Sequence, residues 1–106
     1  MINLTPHSIT FITNEGNVVI EPSGSVARVS ATIAQAGAVE CDGISVPVTT
    51  TVYGEVEGLP EPQDDTIYLV SSLVASRTDR QDVFIPAESV RDEQGRIIGC
   101  KSLGRV

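Results

Sequence analysis

Aromatic side chains are scarce. Phe11, Tyr53, Tyr68 and Phe84 are all the chain has, and tryptophan is absent. Core density must therefore come from aliphatic packing rather than from large rings. Histidine occurs once, as His7, and cysteine twice, as Cys41 and Cys100. Any Ser–His–Asp or Cys–His site would have to use His7, and neither a G-x-S-x-G elbow nor a nucleophile context around either thiol supports one. His7 follows Pro6 near a strand start, where an imidazole more often ties a turn together through its ring. A zinc site needs four ligands, and His7, Cys41 and Cys100 show no C-x-x-C pairing. The nine glycines form no P-loop, and no G-x-G-x-x-G follows a strand. These gaps predict a protein that is not an enzyme and carries no metal or cofactor.

Basic residues are few: seven against fourteen acids, for a formal net charge of −7. A duplex binder needs a cationic footprint, so DNA is not an expected partner. No apolar run approaches a membrane span, and no basic stretch precedes an apolar one near Met1. The expected location is the cytosol, with no membrane partner. There, two free thiols are the simplest reading, and both are read as small core residues rather than reactive groups. Sequence alone leaves a disulfide between them open.

What the chain does hold in excess is β-branched: fourteen valines and ten isoleucines stand against five leucines. Such side chains lose χ1 freedom in helices and pack well on a pleated sheet. Short β-rich runs at Ser8 to Thr13 and Asn17 to Glu21 flank Asn14-Glu15-Gly16. Val26 to Ile33 alternates with period two, as a half-buried strand does. Ala38 to Cys41 and Ile44 to Val48 flank Asp42-Gly43, a strong hairpin signal. Thr49 to Val56 reads as a further strand. Pro60 and Pro62, with Asp64 and Asp65, mark a surface loop; those acids, and Glu55 with Glu57, read as solvated. Thr66 to Val70 is β-rich. A helix of two or three turns is expected from Ser71 or Ser72, with Leu73, Val74 and Ala75 as its apolar face. Val83 to Ile85 reads as a strand stopped by Pro86, with a helical turn at Ala87 to Val90. A last hairpin turns at Glu93-Gln94-Gly95. The predicted fold is one domain over residues 1–106, mainly β with one or two short helices (α+β), around an antiparallel, hairpin-rich sheet. So small a chain gains stability by burying surface against copies of itself, so a homo-oligomer is expected.

The charges are unevenly spread. Residues 1–76 hold one base, Arg28, and nine acids; residues 77–106 hold Arg77, Arg80, Arg91, Arg96, Lys101 and Arg105 with five acids. A solvated, salt-bridged face is one reading of that cluster. A local site for a small anion is the other. The segment Arg77-Thr78-Asp79-Arg80-Gln81-Asp82-Val83-Phe84 mixes the groups that recognise a nucleotide. Arg77, Arg80 and Arg91 are the candidate phosphate ligands, since guanidinium meets phosphate with a rigid fork. Tyr68 or Phe84 would offer a stacking face, and Asp79 or Asp82 would accept from a hydroxyl or amine.

Several stretches together carry a family resemblance. They are Ile2-Asn3-Leu4-Thr5-Pro6-His7; Pro22-Ser23-Gly24 with Ala27-Arg28-Val29; Tyr53-Gly54-Glu55-Val56 with Gly58-Leu59-Pro60; Tyr68-Leu69-Val70-Ser71; Arg80, Asp82 and Pro86; and Val90-Arg91-Asp92 with Gly95 and Ile98-Gly99-Cys100. Spanning nearly the whole chain, they resemble a group of small phage- and prophage-encoded proteins that open with Leu-Thr-Pro-His. Among phage proteins of this size the chain looks most like the anti-Thoeris sponges. That resemblance implies a β-rich oligomer that sequesters a cyclic ADP-ribose signal, or a cyclic oligonucleotide, without turnover. The alternative is an acidic accessory or inhibitor module of phage origin that docks on a protein partner.

Overall fold

The computed structural model describes residues 1–106, and its longest feature grows from one dipeptide. Asp42 and Gly43 both take positive φ, 52° and 81°, the turn geometry whose twist matches antiparallel strands. The ladder zips away from that turn for fourteen residues on each side, as β4 (Arg28–Cys41) and β5 (Ile44–Glu57). Four separately expected runs are thus two strands. The break in β4 before Ala38 falls at a register shift between Gln35 and Ala38; a second shift, between Val29 and Ala31, lies inside a run the pattern kept whole. The two strands form a sheet of their own.

The remaining strands make a six-stranded sheet: β1 (Ile2–Asn3), β2 (Ile9–Thr13), β3 (Gly16–Ile20), β6 (Tyr68–Leu69), β7 (Val83–Arg91) and β8 (Ile97–Gly104). Their spatial order is β1-β6-β7-β8-β2-β3. The β2–β3 and β7–β8 hairpins are antiparallel, as expected. The sheet as a whole is not. β6 lies parallel to both β1 and β7, and β2 meets β8 in parallel at Phe11 and Cys100. Parallel joins need long connections, which leave no trace in a local pattern.

Tyr68, Leu69 and Val70 are fully buried because both faces of β6 are covered. Tyr68 and Val70 join Leu4, Ala27, Val74, Ala75 and Val83 on the helix side, where Val29, Val56 and Leu59 from the foot of the arm also pack. Leu69 points to the other face, against Phe11 and Cys100. The buried amide of Asn3 is fully used. It donates to the carbonyls of His7 (2.8 Å) and Ile20 (3.0 Å) and accepts from the backbone and hydroxyl of Thr5. His7 takes part in this turn through its backbone rather than its ring.

Other expectations are corrected. The helix α1 (Ser72–Ser76) is one turn, not two or three. Ser71 caps it, accepting from Val74 N at 3.4 Å, but Ser76, Arg77, Thr78 and Asp79 offer little to prolong it. Leu73 faces outward. Pro86 does not stop β7, nor do Ala87 to Val90 form a turn of helix, because β6 ends opposite Phe84. Beyond that point β7 has a free edge, where a missing N–H leaves no ladder bond unmade. Cys100 is buried as expected, and burial raises its thiol pKa, but Cys41 is exposed beside the arm's turn; both are free. No helix is long and apolar enough to cross a membrane.

Candidate functional site

The segment between α1 and β7 carries the sequence-nominated residues, and the fold divides them. Arg80 grips Asp82 with two bonds, Nε to Oδ1 at 3.0 Å and Nη2 to Oδ2 at 2.7 Å, and donates from Nη1 to the Pro60 carbonyl at 2.7 Å. Each of its nitrogens is therefore engaged, and it fastens the proline-rich loop to the sheet. Its guanidinium lies 5.7 Å from the centre of the Tyr68 ring, whose hydroxyl donates to Glu61 O at 3.3 Å. The Arg80 hydrogen bonds hold Asp82 below the usual carboxylate range; reciprocally, Asp82 raises Arg80 against the opposing effect of burial. Arg80, Asp82 and Tyr68 thus form a structural triad. Tyr68, wholly buried, has no face to offer a ligand.

Arg91 stands elsewhere. It ends β7, eight residues past Val83, or about 26 Å at roughly 3.3 Å per residue, and donates to Gly95 O in the β7–β8 turn. Its assignment beside Arg77 and Arg80 is corrected on that distance. Arg96 and Asp92 pair in the same turn.

Two other guanidiniums do converge on the loop. Arg77, the C-cap of α1, lies 4.7 Å over the Tyr53 ring at the foot of the arm. Arg105 lies 4.5 Å over Phe84 and donates from Nη2 to Gln81 O at 2.9 Å. The stacking surface expected of Phe84 is thus occupied by Arg105, whose own outer face replaces it. The chain's ion pairs are Arg80–Asp82 and Arg96–Asp92, so neither Arg77 nor Arg105 has a carboxylate partner. Beside Arg105 is a cleft of about 260 Å³, lined by Thr78, Asp79, Arg80, Gln81 and Arg105 over Ala75. Small-molecule sites begin near 300 Å³, so the cleft of one chain has room for no more than a small fragment. Arg77, Ser76, Thr78 and Asp79 form a shallower depression continuing from it.

Sequence reasoning missed Arg105, Gln81 and Tyr53 as site residues. Arg105 was visible as one of the six clustered bases, but only the pairing of Ile85 with Gly104 brings it beside Phe84. Nothing in the sequence marks Tyr53 as a neighbour of Arg77. No group of three or more His, Cys, Asp or Glu side chains is placed to hold a metal ion. Comparison with protein-family models, curated proteins and solved structures gives no match.

Proposed function

We propose that the protein is a non-catalytic binder of the phage anti-defence sponge type. It sequesters a nucleotide-derived immune signal, a cyclic ADP-ribose isomer or cyclic oligonucleotide, in the bacterial cytosol. The observation that carries this reading is the placing of Arg77 and Arg105. In a chain of net charge −7, two guanidiniums without carboxylate partners border adjoining hollows, Arg105 the cleft and Arg77 the shallower depression that shares Thr78 and Asp79 with it. Each lies over an aromatic ring; Arg105 spends one Nη2 bond on Gln81 O, and the remaining N–H donors of the two side chains are available to a phosphate. Asp79 and Thr78 add acceptors for sugar hydroxyls. A sponge must compete with a receptor, so its Kd has to be about nanomolar, near −12 kcal/mol. Charge-assisted bonds of about 1.5–3 kcal/mol each supply much of that when the site is preformed.

Equilibrium dialysis against cyclic ADP-ribose isomers and cyclic dinucleotides, followed by heat denaturation, tests the reading. The expected result is uptake of one ligand and its release intact. Arg77→Ala and Arg105→Ala should each weaken binding by roughly tenfold or more, about 1.4 kcal/mol, while Arg91→Ala leaves it unchanged. Release of a cleaved product would make the protein an enzyme. Uptake of none of these ligands would leave the acidic accessory module as the better reading.

A further inference from the structure

The β4–β5 arm is long, thin and bare. From Ser30 to Glu55 every residue is exposed except Ala34 and Val48, which are half-buried. The chain extends over 59 × 40 × 22 Å with a radius of gyration of 18.0 Å, against about 13 Å for a compact chain of this length. A two-stranded hairpin is marginally stable alone in water, and this one has neither tertiary cover nor a charged surface along its length. No residue from Val29 to Val39, or from Gly43 to Gly54, is charged.

Its two faces differ. Along β5 the even positions Ile44, Val46, Val48, Thr50 and Val52 share one side. Their β4 partners Cys41, Val39, Ala34 and Thr32 lie on that same side. The even positions Thr32 and Ala34 and the odd positions Val39 and Cys41 are brought onto one face by the register shift at Ala36-Gly37, where Gly37 has φ 98°. The bulge thus keeps the apolar stripe continuous. Val39, Ile44, Val46 and Val52 are 45–66% exposed on it.

We propose that this face packs against a second copy of the chain. Nine side chains, each roughly half accessible, put on the order of 600 Å² per copy on offer, close to the about 800 Å² per partner of a standard stable interface. The stripe carries no charge that would oppose a second copy. The arm's carboxylates, Glu40, Asp42, Glu55 and Glu57, sit at its tip and foot, so two copies can meet along the stripe between them without burying a charge. An arm with no cover within its own chain also needs a partner present whenever the chain folds, and a second copy always is.

Sedimentation equilibrium of the unmodified protein at micromolar concentration should give a multiple of the chain mass; the single-chain mass overturns the assignment. Val46→Thr with Val52→Thr keeps β-branched shape but places hydroxyls in the contact, and should raise the dissociation constant by roughly a hundredfold. Thr49→Glu, on the opposite face, should leave the mass unchanged. A dissociated Thr49→Glu protein alongside an intact Val46→Thr, Val52→Thr protein would put the interface on the other side and overturn the assignment. These readings are made without ligand, so they stand or fall separately from the cleft.

Discussion

Arg80 and Asp82 show how a residue's partners decide what it does. Two donors to one carboxylate and a third to Pro60 O make Arg80 an anchor. Both side chains are about one-fifth exposed, so the pair is sheltered enough to matter. Arg80→Ala should destabilise the chain by about 2 kcal/mol in urea unfolding at pH 7, by leaving Asp82 and Pro60 O without their donor. The pH dependence follows from the direction of the Asp82 shift. Its folded-state pKa lies below the unfolded value near 3.9. Its stabilisation is therefore complete above that value and is lost as pH falls through the lower folded one. The raised Arg80 value acts only far above neutrality and leaves this range untouched. The gap in urea midpoint between parent and Arg80→Ala should hold from pH 7 to 5 and narrow as pH falls below the ordinary carboxylate range, leaving the part that comes from Pro60 O. A gap that stayed constant to pH 2 would remove the ion pair from the account.

At the scale of elements, two glycines separate backbone strain from crowding. Gly43 has φ 81° with open space where a Cβ would stand, so Gly43→Ala meets only the left-handed backbone penalty of about 1–2 kcal/mol. Gly58 has φ 80°, and a Cβ there would come within 2.7 Å of Val26 O, a backbone atom that cannot swing aside. Gly58→Ala should therefore cost clearly more than Gly43→Ala in denaturant unfolding; equal costs would mean the loop after β5 yields easily. The three antiparallel hairpins were legible in the sequence, because Asn14-Glu15-Gly16, Asp42-Gly43 and Glu93-Gln94-Gly95 are turn chemistry encoded within a few residues. The parallel joins of β1, β2, β6 and β7 were not, since each depends on residues far apart in sequence. The site was half legible for the same reason. Arg77 and Asp79 lie in the expected loop. Arg105 enters through β8, and Arg91 leaves because β7 carries on past Pro86 as an extended strand.

At the scale of the whole molecule, only 11 of 106 residues are buried, and one of these, Asn3, is polar. Stability therefore rests on a thin sheet. The strand order also sets a sequence in time. The arm pairs neighbours in sequence, so all its ladder partners are present once Glu57 has been made. The N-terminal strands cannot settle in the same way: β1 waits for β6, and β2 waits for β8. On the ribosome, the β2–β3 hairpin therefore lacks its strand partner, and Phe11 and Ile9 part of their cover, until Cys100 and Leu103 have emerged. Pulsed hydrogen exchange during refolding should find β4 and β5 amides protected before those of β2, and the reverse order would mean that the sheet assembles first. The last strand to be translated is thus the one that seats the second, and a chain cut short of Ile97 leaves its N-terminal hairpin without the strand it docks on.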